Sequence, residues 1–552
     1  MQLIFSTITF VLIFTTIYSY GLLISNTFYK NYKIDIFFNI LIGYTFIGLL
    51  TLIFHFFFKI NNYFSLILIT LGLMIFIYYY SNLQRGKFFE LILIIIIFSF
   101  ILFGYSEHPI DTNMYHHPYV SYLNSDKIVF AIANIQFRFG HISFLQYVQA
   151  AFTNDYLHKI SLASVNIIFY LSFIYFFSRE IFYEKKFSYV FLLKILFVSF
   201  ILIKFARYRE HGNDLIPLLV SIYFFVNILN VNKKHIKDNI MLINLALPFA
   251  AFMFLHKISY IFVFLIFLPL LSFIKVKTIN IFNLKYLLVF SLMMISWLTK
   301  NYVTTSCFAY PVEFTCISNS FYELQGLAKP ANAAWLTEIW AKGFIDHPNW
   351  NELNLKEYAS SFNWVGTWAR GHFIKIIEIV SPLFFIILIL TCYLFFKKDH
   401  YLRDKNTKSL QIFYYFIFFA NLAGLLLWFY KAPIFRYGSF YIITFIILTY
   451  ILFLSFFFEF KKSNKLKFFK SILLISLIFF NFKNILRINE SDHSLFPKTT
   501  KNEIEYKVIQ NNNLKLLKPI NDTCYYTQAI CSHEAPQNIK IKKLGNYDIY
   551  MQ

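Results

Sequence analysis

Residues 88–118 read FFELILIIIIFSFILFGYSEHPIDTNMYHHP. The first part, 88–104, is almost wholly apolar, and a helix needs roughly 20 mostly apolar residues to cross a bilayer. The second part turns polar at once, so a helix leaves the membrane here and ends in a collar at the water boundary. Working outward, about fourteen such apolar runs recur, near residues 3–25, 35–58, 63–81, 88–104, 160–177, 187–205, 215–231, 240–255, 258–274, 285–299, 374–396, 410–430, 438–459 and 468–486. The first has no basic leading region and no small-residue cleavage site, which reads as a span rather than a removable signal peptide. Composition agrees. Of 552 residues, 58% are hydrophobic and 22% aromatic, and only 14% are charged, where a soluble domain carries about 25%. A water-soluble globule is excluded. The expected fold class is an all-α polytopic integral membrane protein with about 13–14 transmembrane helices.

The formal net charge of +22 is resolved by position. In one set of alternate loops there are 22 Lys and Arg, including Lys30, Arg85, Arg179, Lys233, Lys275, Lys397 and Lys461; the other short loops hold six, Lys59, Arg207, Arg209, Lys257, Lys431 and Arg436. Positive charge gathers on the cytoplasmic side, so the charge is topological and no nucleic-acid partner is implied. This orientation places 105–158, 300–373 and the tail from about 487 on the outer side. Cys307 and Cys316 share one outer segment and Cys524 and Cys531 another, while Cys392 lies alone in a span. Close pairs confined to outer segments fit an oxidising compartment, and the expected disulfides are Cys307–Cys316 and Cys524–Cys531. Free thiols that happen to lie close are the alternative.

The collar carries two carboxylates, Glu107 and Asp111, and three imidazoles, His108, His116 and His117. A carboxylate partly desolvated at such a boundary is a candidate general base; the plain alternative is a solvated helix end. The following stretch, 119–152, is interrupted by Asp126, Lys127, Asn134, Gln136, Arg138 and His141 and suits amphipathic helices lying in the interface. There Arg138 and His141 face either a site or lipid headgroups. The next outer loop packs Arg207, Arg209, Glu210, His211 and Asp214 together. The planar fork of Arg suits phosphate, although an internal ion-pair knot fits equally. A later turn holds Lys431 and Arg436 on the side that otherwise avoids cations, which a phosphate ligand or a lipid headgroup would explain. Segment 300–373 contains Trp335, Trp340, Trp350, Trp364 and Trp368, as a sugar-stacking surface or an interfacial belt would. Lys194 and Glu378 are ionisable groups within spans.

"Asp111-Thr-Asn-Met-Tyr115-His116" just after a span resembles the signature that opens the first periplasmic loop of GT-C fold glycosyltransferases. The stretch from Asp111 to Phe144 is similar to a bacterial branch, the LIC_10190-type membrane proteins, through Ala133-Asn134, Gln136, Arg138, Gly140 and Ser143. The segment Ala432 to Gly438 (APIFRYG) and the pair Cys524 and Cys531 also resemble that branch. The resemblance spans most of the chain. It implies a GT-C-like transmembrane domain, 1–486, followed by a small periplasmic C-terminal domain, 487–552, in a bacterial inner membrane with the site facing the periplasm. It further implies an inverting enzyme that transfers a sugar from a polyprenyl-phosphate donor to a glycan or lipid acceptor, in cell-envelope polysaccharide biosynthesis.

On that resemblance Asp111 takes the acceptor proton and Arg436, Lys431, Arg207 or Arg209 meets the donor phosphate. Tyr115, His116, Arg138 and Asp214 complete the expected substrate-binding set. Thr112 stands where many relatives carry Glu, so Glu107 is the candidate for the second acidic role. A divalent metal is possible, with His108, His116 and His117 as candidate ligands, but no spacing compels it. A transporter or flippase of lipid-linked glycan is the alternative, as is a polymerase or ligase. A transporter needs ionisable residues and broken helices near the midplane; here the polar residues sit at the outer boundary, which favours the enzyme.

Overall fold

Close backbone packing organises the N-terminal helices. A Cβ at Gly21 would fall 2.0 Å from the Asn39 carbonyl oxygen, and one at Gly43 would fall 1.9 Å from that of Ile17. The two helices therefore meet backbone to backbone, which small residues permit in an apolar medium. The computed structural model describes residues 2–551 apart from 30–33, 80–84, 104–110, 154–157, 205–211, 231–235, 274–282, 318–321, 397–407, 458–465, 491–504, 512–513, 522, 528 and 537–538.

The helices run in order α1 (Gln2–Phe28), α2 (Ile36–His55), α3 (Asn62–Tyr79), α4 (Arg85–Phe103), α5 (His117–Ser125), α6 (Phe144–Phe152), α7 (His158–Tyr183), α8 (Tyr189–Lys204), α9 (Leu215–Leu229) and α10 (Ile236–His256). A run of 3-10 turns, Ile258–Phe273, follows α10 after the single residue Lys257. Next come α11 (Leu284–Thr305), the short α12 (Pro330–Ala341), α13 (Leu355–Ser360) and α14 (Trp364–Trp368), then α15 (Ile374–Phe396), α16 (Lys408–Lys431), α17 (Phe435–Phe457) and α18 (Leu466–Glu490). Each expected apolar run is helical over most of its described residues, that at 258–274 as 3-10 turns; the ends at 35, 56–58, 187–188 and 230 lie outside the helices.

Among the described residues, nine helices are long and apolar enough to cross a membrane. The chain is an all-α polytopic membrane protein by that measure. Large apolar side chains face outward on the peripheral helices, as in Ile77, Phe385, Phe416 and Ile475, where a water-soluble protein would place polar ones. The expected 13–14 spans include α8 and α9, which have only 16 and 15 residues. At 1.5 Å per residue, α9 reaches about 22 Å, short of the roughly 30 Å hydrocarbon core. Every residue of α9 but Asn227 is buried, so it is a core helix enclosed by its neighbours.

The segment 119–152 also departs from expectation. All nine residues of α6 are buried, so it is a packed element and not an amphipathic helix lying on the membrane surface. Its polar residues bond inward. Ser143 caps α6 in a capping box with Gln146, which satisfies the orphan amides of the first turn.

The tail adds two antiparallel hairpins, β1 (Tyr506–Asn511) with β2 (Leu514–Pro519) and β3 (Lys540–Leu544) with β4 (Tyr547–Met551). Gly545 turns the second one at φ +58°, a conformation glycine adopts without strain. Cys307–Cys316 and Cys524–Cys531 are disulfides. The second hairpin docks on the first loop: Phe130 N–H donates to Asp548 O at 3.0 Å, and Tyr550 N–H donates to Phe130 O at 3.1 Å. Asn134 ties three segments at once. Its amide donates to Tyr550 O (2.9 Å) and Glu323 O (3.1 Å), and its oxygen accepts from Gln325 N–H (3.0 Å).

Candidate functional site

Pro118 lies in the first turn of α5 and has no N–H to offer the carbonyl of Met114. The backbone just before it widens into a π turn, Thr112–His116, a form common at functional sites. Gln136 Nε2 donates to the Met114 carbonyl instead, at 3.4 Å. This turn presents Asp111, Tyr115 and His116.

Two indoles hold the partner turn. Trp428 Nε1 donates to Ile434 O at 2.8 Å, and Trp368 Nε1 donates to Pro433 O at 2.5 Å. Gly438 lies flat on Trp428, where an added Cβ would come within 2.5 Å of the indole. So fixed, the second residue of α17 reaches the collar: Arg436 Nη1 donates to Asp111 Oδ2 at 2.9 Å. The Asp111 side chain keeps 39% of its surface exposed, enough for a substrate to reach it. Burial raises the Asp111 carboxyl, but the charge and hydrogen bond of Arg436 prevail, with help from Tyr115, and hold it below the usual carboxylate range. It is an anion at neutral pH.

A second ion pair stands beside the first. Lys257, in the one-residue break after α10, donates through Nζ to Asp214 Oδ1, just before α9. Its ammonium also lies 3.5 Å from the centre of the Tyr437 ring. Arg436 flanks the same ring at 5.1 Å, and its Nη2 donates to the Tyr437 hydroxyl at 3.3 Å. Tyr437 is therefore common to both pairs.

His116 feels the charges of Asp111, Asp214, Arg436 and Lys257, which places it within the cluster. Burial pushes its pKa down to about 4, so the ring is neutral. Gln146 Oε1 is engaged by the Ser143 N–H and hydroxyl, which leaves the Gln146 amide to face His116 Nδ1 at 3.1 Å. Nδ1 then accepts and the proton sits on Nε2. Burial likewise raises the Tyr115 phenol well above its ordinary value, so it remains a donor.

Arg138 stands over the Tyr115 ring at 5.6 Å, and its charge is taken by the tail: Arg138 Nη1 donates to Glu534 Oε1 at 2.8 Å. Neighbouring Gln136 Nε2 and His533 Nδ1 are 3.4 Å apart. A Cβ at Gly140 would come within 2.6 Å of the Tyr310 ring. The tail therefore backs the site through the residues that follow the collar.

Of the expected site residues, Asp111, Tyr115, His116, Asp214 and Arg436 come together, with Arg138 behind them. Lys431 does not join. It is 63% exposed and pairs at 3.5 Å with Glu338, which also holds the buried Lys342. Lys194, within a span, pairs with Glu180 at 2.6 Å. Glu107, His108, Arg207 and Arg209 lie outside the described residues. His117 is buried. Among the described residues no three His, Cys, Asp or Glu side chains are grouped to hold a metal ion.

Lys257, Tyr437 and Glu534 belong to the site without having been expected there. Lys257 carried a usable signal, a cation on the low-charge side at a break between two apolar runs. A family model matches residues 1–443, which takes in both ion pairs and Tyr437 and stops short of the tail. No curated protein and no solved structure matches the chain. The chain belongs to the matched family, described as "Domain of unknown function (DUF8201)".

Proposed function

We propose that the chain is a GT-C-like membrane glycosyltransferase that moves a sugar from a polyprenyl-phosphate donor to a glycan or lipid hydroxyl at the outer, periplasmic face of a bacterial inner membrane. The observation that carries this reading is the contact between Asp111 and Arg436, a reachable carboxylate beside a fixed guanidinium. Transfer needs a base for the acceptor and a cation for the leaving phosphate, and this pair supplies both. Asp111 takes the proton of the acceptor hydroxyl. The acceptor oxygen bonds to the anomeric carbon as the bond from that carbon to the phosphate oxygen breaks, and the electron pair leaves with the phosphate. Arg436 and Lys257 neutralise the charge that develops there. The Tyr115 phenol hydrogen-bonds the carboxylate, and a neutral His116 lies near it without competing for the proton.

The test is sugar transfer from a polyprenyl-phosphate-linked sugar by the purified protein, wild type against Asp111→Asn. Positioned proton transfer contributes about 10²–10⁴-fold, and the variant is expected to lose a factor in that range. An Asp111→Asn protein that transfers sugar at the wild-type rate refutes the assignment. A wild type that moves intact lipid-linked glycan between leaflets without cleaving it refutes the enzyme reading.

A further inference from the structure

Both cations at the site are occupied, and each by a carboxylate. Arg436 holds Asp111, Lys257 holds Asp214, and Tyr437 lies against both. The described pairs are therefore balanced in charge, with no net field to attract an anion. Their hydrogen bonds are incomplete: the Nε–H of Arg436 is buried and has no acceptor among the described residues. A buried donor without a partner is unfavourable, and here it belongs to the guanidinium that pairs with Asp111 and keeps 26% of its side chain exposed. The phosphodiester of a polyprenyl-phosphate sugar offers two terminal oxygens, one for that Nε–H and one for a donor now spent on a carboxylate, and the phosphate monoester that leaves offers three. Phosphate also fits the guanidinium fork bidentately.

We infer that a lipid-linked phosphate enters by partner exchange, drawing Arg436 and Lys257 away from Asp111 and Asp214, and that the same exchange releases Asp111 to act as a base. In the ligand-free protein Arg436 stabilises the Asp111 anion and makes it a weak proton acceptor. Once a phosphate takes the guanidinium, that stabilisation is divided and a second anion stands nearby, and both changes raise the basicity of Asp111. Donor phosphate must then arrive before proton abstraction, which orders the two substrates. The role of Asp111 after its release rests on the glycosyltransferase reading; the exchange is a binding event and needs no turnover.

The experiment measures the dissociation constant of a short-chain polyprenyl monophosphate carrying no sugar, by titration calorimetry in detergent at pH 7.5. Wild type is compared with Asp111→Asn, Asp214→Asn and Arg436→Gln, each checked for a monodisperse elution profile. Removing a carboxylate competitor, part-exposed at Asp111 and buried at Asp214, is expected to tighten binding about fivefold in each Asn variant, although Asp111→Asn slows transfer. Arg436→Gln is expected to weaken binding at least tenfold. Unchanged or weaker binding in both Asn variants overturns the exchange, as does a wild type that does not bind the probe. Inorganic phosphate is titrated in parallel. Lipid-linked phosphate as the source predicts binding at least tenfold tighter for the prenyl probe, from buried apolar surface, and equal affinities overturn that source. A wild type that transfers no sugar yet shows tighter binding on loss of Asp111 retires the transferase reading alone. One that transfers sugar while the Asn variants bind as wild type retires the exchange alone.

Discussion

Gly438→Ala tests whether Arg436 is held in place by the turn that carries it. The new methyl group would meet Cδ2, Cε2 and Nε1 of Trp428 at 2.5 Å, roughly 1 Å inside ordinary carbon–carbon contact. Trp428 cannot swing away cheaply, because its Nε1 donates to Ile434 O at 2.8 Å and its neighbour Trp368 is bonded to Pro433 O. Overpacking of this kind costs about 1–3 kcal/mol, and the pinned indole puts the change at the upper end, about 2–3 kcal/mol. Relief by moving the start of α17 shifts Arg436, two residues away, off Asp111. Gly366→Ala is the matched control. It is also a helical glycine, but an added Cβ there meets nothing within 4 Å, so the change is neutral or stabilising by up to ~1 kcal/mol through helix propensity. Thermal unfolding in detergent should show a lowered midpoint for Gly438→Ala and none for Gly366→Ala. Sugar transfer should fall with the first variant only. Equal midpoints and equal rates for the two variants refute the claim that this glycine is required by a fixed indole.

Three further outcomes are expected. A double-mutant cycle on Arg138→Gln and Glu534→Gln should give a coupling of about 1 kcal/mol, the range for a part-buried charge-assisted bond after allowance for solvent screening; coupling near zero sinks the tethering role of the tail. Replacing Cys524 and Cys531 by Ser opens a short loop, for which chain entropy predicts a loss of about 2–3 kcal/mol, read as faster amide exchange over 505–551 with the exchange of α2 and α17 unchanged. His116 is buried in its neutral form, with a folded pKa below its unfolded value, so it favours the folded state fully above about pH 6.5 and progressively less as pH falls toward about 4. The loss is at most on the order of 3 kcal/mol; the pH slope of the unfolding midpoint between 6.5 and 4 should flatten in His116→Gln, and an identical slope contradicts the burial argument.

The parts of the molecule legible in the sequence are those written locally. Each apolar run became a helix because a bilayer-length stretch of Phe, Ile and Leu leaves its backbone no better way to satisfy its own polar groups. The collar was legible for the same reason, since carboxylates and imidazoles crowd into a chain otherwise poor in charge. The string Asn134, Gln136, Arg138, Gly140 and Ser143 has a physical basis too: these residues tether the tail, the Met114 carbonyl, Glu534, the Tyr310 ring and the start of α6. The number of helices able to span was not legible, because α9 is apolar on all sides whether lipid or protein surrounds it. Partners far apart in the chain were not legible either. Asp111 and Arg436 are separated by 325 positions, and nothing local to Glu534 marks it as the partner of Arg138.

Lys431 and Arg436 show where the sequence argument stops. Both are cations in one turn on the side that avoids positive charge, so the cost in topology marks them equally. Their fates differ because the turn lies between them. Lys431 is the last residue of α16 and points toward the large loop, where Glu338 takes it. Arg436 is the second residue of α17 and, with its helix start pinned by Trp368 and Trp428, points toward the collar. Misplaced charge therefore identifies the turn, while the choice of residue comes from packing. Lys257 passes the same charge test and also satisfies the packing one, through its contact with Tyr437. A lone cation at a break between apolar runs, with an aromatic residue brought against it, is the stronger sign of the site than the number of cations in a loop.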